Sequence, residues 1–173
     1  MSPFVKLLLG VLGVLVAGGV GVIAVGFILP REHQARRSAR LRRPPRAVWD
    51  VISDVDSFAS WRSDLERVER LPDVGGHKRW KEHSRSGAVT YEMVQAKPTS
   101  RMVTRIADLK LPFGGTWTYE LEATPEGCTL TIVEDGEIKN PLFRFMARFI
   151  FGYTGTLDAF FTSLEKKLGG LSG

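Results

Sequence analysis

Three features of this 173-residue sequence predict an α+β fold, an antiparallel sheet packed on a long apolar helix and preceded by a membrane-spanning helix. An uncharged apolar run occupies residues 7–29. Short alternating segments joined by glycine- and proline-containing turns occupy the middle of the chain. A helix-period apolar stripe extends from Leu142 to Leu168. A sheet and a helix that each have one apolar face must cover each other, which makes a two-layer domain.

The first 30 residues contain no acid and a single base, Lys6. At ~1.5 Å per residue, 23 apolar residues reach about 35 Å, enough to cross a hydrocarbon core of ~30 Å. A cleaved signal peptide is the competing reading. Its apolar region is shorter and ends in a small-x-small cleavage site, whereas this run ends in Phe27-Ile28-Leu29-Pro30. An uncleaved anchor over residues 1–30 is the expectation. Gly13, Ala17 and Gly21 form a small-residue stripe through which two such helices could pair as a homodimer.

Residues 31–43 form a basic juxtamembrane segment: Arg31, Arg36, Arg37, Arg40, Arg42 and Arg43 stand against one acid, Glu32. The bias toward arginine after the anchor places this side in the cytoplasm, giving an N-out, C-in topology. Arg36, Arg37, Arg40, Arg42 and Arg43 either touch anionic headgroups of the lipid bilayer or serve only as the topology signal. Residues 44–173 carry 17 bases and 18 acids, so the pI of 9.6 reports this short cluster rather than a basic domain. That distribution argues against a nucleic-acid partner.

Residues 33–43 read as an edge strand, and Pro44-Pro45 ends it. Pro45 suits the first turn of a helix over 45–53, which puts Val48, Trp49 and Ile52 on one face. Asp54–Trp61 reads as a turn entering a second short helix. Strand character follows at 64–71, 77–83, 88–97, 101–109, 115–124 and 128–138. Trp117, Tyr119, Leu121 and Ala123 alternate with Thr116, Thr118, Glu120 and Glu122, and Cys128, Leu130 and Ile132 alternate with threonines. Connections this short require antiparallel neighbours. Glu134-Asp135-Gly136 reads as the end of the last strand. Asn140-Pro141 then opens the final helix as N-cap and first position, with Gly169-Gly170 as its stop. Its stripe of Leu142, Met146, Phe149, Tyr153, Leu157, Phe160, Leu164 and Leu168 predicts one helix of about seven turns. Gly152 and Gly155 are the points where it would kink.

Several stretches carry a resemblance. The run Pro45-Arg46-Ala47-Val48-Trp49-Asp50-Val51-Ile52-Ser53-Asp54-Val55-Asp56 ending at Trp61 resembles the opening of START-like (SRPBCC) helix-grip proteins of the polyketide cyclase/dehydrase and lipid-transport type. Arg79-Trp80-Lys81-Glu82, Phe113-Gly114-Gly115-Thr116-Trp117-Thr118-Tyr119-Glu120, Glu134-Asp135-Gly136-Glu137 and the terminal helix agree in order and spacing. The resemblance covers roughly residues 33–168. It implies a seven-stranded antiparallel sheet gripping the C-terminal helix, with an apolar ligand cavity between them. It does not imply one activity, since relatives include carriers, receptors and cyclases.

Catalytic constellations are sparse. His33 abuts the anchor, and His77 and His83 would need ligands beyond Glu82 and Asp73 to hold a metal. No nucleophile elbow, Walker loop or dinucleotide fingerprint occurs, so neither catalytic residue, metal nor cofactor is expected. The lone Cys128 excludes an intrachain disulfide and suits an apolar strand position. Glu92 alternates with Tyr91 and Met93 and reads as solvated. Trp80, Tyr91, Met93, Trp117, Tyr119, Phe149, Tyr153 and Phe160 are the candidate lining of a pocket for an apolar small molecule, or else they fill the core. Arg105 points either inward, toward a ligand carboxylate, or outward. The leading expectation is a membrane-anchored binding protein for a hydrophobic small molecule or lipid. The alternatives are an aromatase/cyclase-like enzyme that polarises a carbonyl with Tyr91, Tyr119 or Arg105, and a filled scaffold with no ligand.

Overall fold

A computed structural model describes residues 2–169. The chain opens with helix α1 (Pro3–Ile28), capped by the Ser2 hydroxyl, and continues into strand β1 (Glu32–Leu41). Helix α2 (Pro45–Ser53), a 3-10 turn (Val55–Ser57) and the short helix α3 (Phe58–Trp61) follow. The sheet then builds through β2 (Arg67–Val74), β3 (His77–Ser84), β4 (Gly87–Lys97), β5 (Arg101–Ile106), β6 (Phe113–Thr124) and β7 (Gly127–Ile138). Helix α4 (Pro141–Met146), a π-helical turn (Ala147–Phe151) and helix α5 (Gly155–Leu168) complete the described chain.

The seven strands lie in the order β1-β7-β6-β5-β4-β3-β2, every neighbouring pair antiparallel. Short turns account for the β2–β7 meander, and β1 returns to the free edge of β7. The threonines of β7 carry the outer face, while Cys128, Leu130 and Ile132 are fully buried against α2 and α5. From α2 come Val48, Trp49 and Ile52, and from α5 come Leu157, Phe160, Phe161 and Leu164.

The long C-terminal helix is broken. Gly152 adopts φ 73° and ψ 178°, outside any helix, and the π-helical turn before it rotates the apolar stripe. Leu157, Phe160 and Leu164 therefore pack on the sheet, but Leu142 and Phe149 are exposed. The segment before the break packs on the end of α1 instead. Arg144, buried, donates from Nη1 to the Leu29 carbonyl at 2.8 Å, and a Cβ on Gly26 would collide with the Pro141 carbonyl. Two further expectations are corrected. Glu134, Asp135 and Gly136 do not end β7, which pairs with β1 as far as Glu137; the missing Cβ of Gly136 leaves room for the His33 ring. Glu92 is only 7% exposed, because Arg105 pairs with it and Arg79 Nε lies 3.9 Å away. Gly169 closes α5 in the left-handed conformation at φ 90°, and Gly170 lies outside the described residues.

Candidate functional site

Between α5 and the concave face of the sheet lies a cavity of about 450 Å³. Strand alternation directs Trp80 and Glu82 from β3, Val89 and Tyr91 from β4, Met102 and Thr104 from β5, and Trp117 and Tyr119 from β6 into it. Ile52, Val55 and Phe58 close it from the helical side. A second, more open lobe of about 520 Å³ shares Ile106, Phe113, Glu134 and Thr156 with the first. It is bounded by His33, Phe143, Phe151 and Tyr153.

The expected pocket residues separate accordingly. Trp80, Tyr91, Trp117 and Tyr119 line the cavity, with Trp80 and Tyr91 stacked at 5.8 Å. Tyr153 lines the second lobe and stacks on His33 at 4.3 Å. Phe160 lies beneath the wall, edge-on to Trp61, Trp117 and Tyr119. Met93 is buried next to the bulge in β4 and does not reach the cavity lining. Phe149 is 60% exposed on the π-helical turn, because the break at Gly152 carries it off the sheet. Arg105 faces outward onto Glu92, so a carbonyl-polarising role from inside the cavity is closed to it. Of the arginines after the anchor, Arg37 bonds Asp158 at 2.6 Å and Arg43 Nε donates to the Leu168 carbonyl at 3.0 Å. Arg36, Arg40 and Arg42 are exposed. A strand of ten residues at about 3.3 Å each spreads this group along the sheet edge.

Sequence reasoning missed the charged groups of the site. Arg62, at the end of α3, donates from Nη1 to both Glu82 oxygens at 3.1 and 3.0 Å and from Nη2 to Asp64 at 2.7 Å. Trp80 Nε1 donates to the same Glu82 carboxylate at 2.9 Å. Burial would lower the Arg62 pKa, but Glu82 and Asp64 raise it overall, so the guanidinium stays charged. Burial raises the Glu82 pKa against the opposing pull of Arg62 and the Trp80 indole. Burial likewise raises both Tyr91 and Tyr119, leaving two neutral phenols facing the cavity. The only available signal was the proximity of Arg62 to the Trp61 that ends the opening motif, and Glu82 inside Arg79-Trp80-Lys81-Glu82.

Glu134 stands where the two lobes meet. Burial raises its pKa, partly offset by Trp117 and Thr156, and burial lowers that of His33, whose Nε2 lies 3.8 Å away. Both groups are thereby biased toward their neutral forms. A carboxyl whose folded pKa exceeds the ordinary 4.5 costs stability as pH rises through the folded value, and costs nothing below 4.5. Glu134→Gln should therefore stabilise the protein at pH 8 and leave it unchanged near pH 4. Chemical denaturation at both values measures this, and an equal effect at the two would contradict the assigned shift. No cluster of three or more metal-ligating side chains exists among the described residues.

Residues 32–169 match the family described as polyketide cyclase / dehydrase and lipid transport. No curated protein matches the chain by sequence. Among solved structures, the Zhui aromatase/cyclase of Streptomyces sp. R1128 aligns at a TM-score of 0.62 and 13% identity, over 81% of this chain and 99% of its own. Norcoclaurine synthase of Thalictrum flavum aligns at 0.63 and 12%, over 79% and 86%. The di-domain ARO/CYC StfQ of the steffimycin biosynthetic pathway aligns at 0.64 and 12%, over 78% of this chain; the chain spans half of that protein's length. At these identities the likeness is one of fold. With nearly all of the sequence after the apolar helix inside the family match, the chain belongs to the polyketide cyclase/dehydrase and lipid-transport family.

Proposed function

We propose that the protein is a membrane-anchored binding protein for a hydrophobic small molecule or lipid, held between α5 and the sheet. One observation carries this reading: an aromatic-lined cavity of about 450 Å³ with Arg62, Glu82 and the two tyrosines in its wall and Glu134 at its junction with the second lobe. Its apolar wall would desolvate a ligand, while the phenols and the Trp117 indole would orient it. Helix α1 supports the anchor, being 26 residues of high hydropathy with none of its apolar window buried in protein. The arginine bias supports a cytoplasmic domain, which reporter fusions after residue 169 would test. A reporter active only after export would overturn that orientation.

The binding reading is tested by extracting the full chain from membranes in mild detergent and identifying bound molecules by mass spectrometry. Ala159 lines the cavity from the exposed side of α5, so Ala159→Phe plugs the space without crowding the core. Loading should fall at least ~10-fold in that variant, equivalent to about 1.4 kcal/mol. Wild-type protein that carries nothing apolar above the plugged variant would overturn the proposal.

A second reading, a cyclase acting on an apolar carbonyl substrate, is favoured by one feature. Glu134, its carboxyl biased toward the protonated form, sits at the junction of the lobes within reach of a ligand that Tyr91 or Tyr119 also touches. This role would fall to the tyrosines and Glu134, since Arg105 lies outside. Family neighbours whose names include aromatase/cyclase support it at the level of fold.

A further inference from the structure

We propose that the segment from α4 through the π-helical turn is an interfacial membrane element that seats the mouth of the second lobe on the bilayer, so that apolar molecules enter laterally from lipid. The inference rests on the binding reading above for what enters and on α1 spanning the bilayer for where the segment lies. Five large apolar side chains stand open within ten residues: Leu142, Phe143, Phe149 at 60%, Ile150 at 62% and Phe151 at 66% exposure. A patch of this kind on a soluble surface calls for a covering partner. The partner is indicated by what the segment packs against. Its inner side is fastened to the C-terminal end of α1, through Gly26 against Pro141 and Arg144 onto the Leu29 carbonyl. That end is where a spanning helix leaves the hydrocarbon, so the segment lies at the level of the headgroups.

The surroundings fit the same level. No acid occurs between Glu137 and Asp158, and Arg148 and Lys139 are exposed. The β5–β6 loop lies alongside, held by Lys139 Nζ donating to the Leu109 carbonyl at 3.2 Å and Lys139 N to that of Pro112 at 2.8 Å. It adds Leu109, 84% exposed, and the exposed Lys110 and Phe113. Apolar side chains beneath a fringe of bases are the composition of a helix lying in the interface. Phe113, Phe143 and Phe151 of this patch also rim the second lobe, which shares Ile106, Phe113, Glu134 and Thr156 with the first. The mouth of the cavity and the lipid-facing patch are thus the same place.

The test uses the full chain, with Cys128→Ala, in phosphatidylcholine/phosphatidylglycerol vesicles. Nitroxides are attached at Phe27→Cys, Ile150→Cys and Glu126→Cys, the last at an exposed turn of the sheet. The labels at 27 and 150 should collide more with oxygen than with a water-soluble nickel chelate, and the label at 126 the reverse. A label at 150 that follows the one at 126, or that is shielded from both reagents by a protein partner, overturns the placement. Entry is then read as quenching of the cavity tryptophans by 9,10-dibromostearic acid. Phe149→Glu/Ile150→Glu should slow quenching from vesicles at least ~10-fold, while leaving its extent in detergent unchanged. Equal rates from vesicles overturn lateral entry. Absence of quenching of the wild type in detergent overturns the binding reading itself, and the nitroxide result still decides where the segment lies.

Discussion

Replacing Arg62 with methionine should destabilise the protein by about 3–5 kcal/mol, because it removes one partner of a buried ion pair and leaves the other uncompensated. The Arg62 side chain is 12% exposed and that of Glu82 is 8% exposed. Without Arg62, the Glu82 carboxylate keeps a single donor, Trp80 Nε1 at 2.9 Å. The guanidinium also sits 5.4 Å from the Phe58 ring and 5.6 Å from that of Phe160, so cation–π contacts disappear with it. At roughly 2–4 °C per kcal/mol for a chain of this size, Tm should fall by about 10 °C. The defect should shrink in acid. Loss of Arg62 drives the Glu82 pKa further above the ordinary 4.5, so the part of the penalty that comes from the uncompensated carboxylate grows as pH rises from 4.5 and is absent below it, leaving only the lost cation–π and packing contacts. Arg62→Met/Glu82→Gln keeps an acceptor for Trp80 and buries no charge, so it should recover most of the loss. A double variant as unstable as the single one would show that the charge was not the cause.

Truncating Phe160 to alanine should cost a similar amount, about 3–5 kcal/mol, by a different mechanism. Phe160 is 1% exposed and lies between Trp61, Trp117, Tyr119 and Phe161 at ring distances of 5.5–6.3 Å. That total includes the four edge-on pairs, each worth about 0.5–1.5 kcal/mol at most, together with the lost apolar burial. Because the residue underlies the cavity wall, the space left should join the cavity rather than collapse. Phe160→Leu retains most of the volume and should cost clearly less. Denaturant midpoints order the two variants. A loss below ~1 kcal/mol for alanine would remove Phe160 from the centre of the core.

The period-2 pattern made Trp117 and Tyr119 legible as one face of β6, and in the fold they stand around one cavity with Trp80 and Tyr91, which alternation had not assigned to a common face. The same reasoning gave no view of Arg62, Glu82 and Glu134. A charged residue is solvated by default, and only a partner from a distant part of the chain makes its burial tolerable. Arg62 and Glu82 are twenty residues apart, on α3 and β3, and His33 reaches Glu134 across β1 and β7, a hundred residues apart. Their meeting depends on strand order, which no local pattern contains. Glu92 shows the same limit from the outer face, where Arg105 and Arg79 cover it.

By itself the sequence determined what local chemistry controls: an apolar helix long enough to span a bilayer, the positions of seven strand segments along the chain, the proline-started α2, and an α+β architecture. Each follows from short-range sterics and from hydrophobic periodicity. Tertiary structure alone decided the rest. A stripe of seven helical turns is equally satisfied by one helix or by two, and periodicity cannot say which partner an apolar side chain will meet. Gly152 leaves the helix because the residues before it pack on the end of α1, while those after it pack on the sheet. Phe149 and Phe160, indistinguishable along the stripe, thereby reach opposite environments.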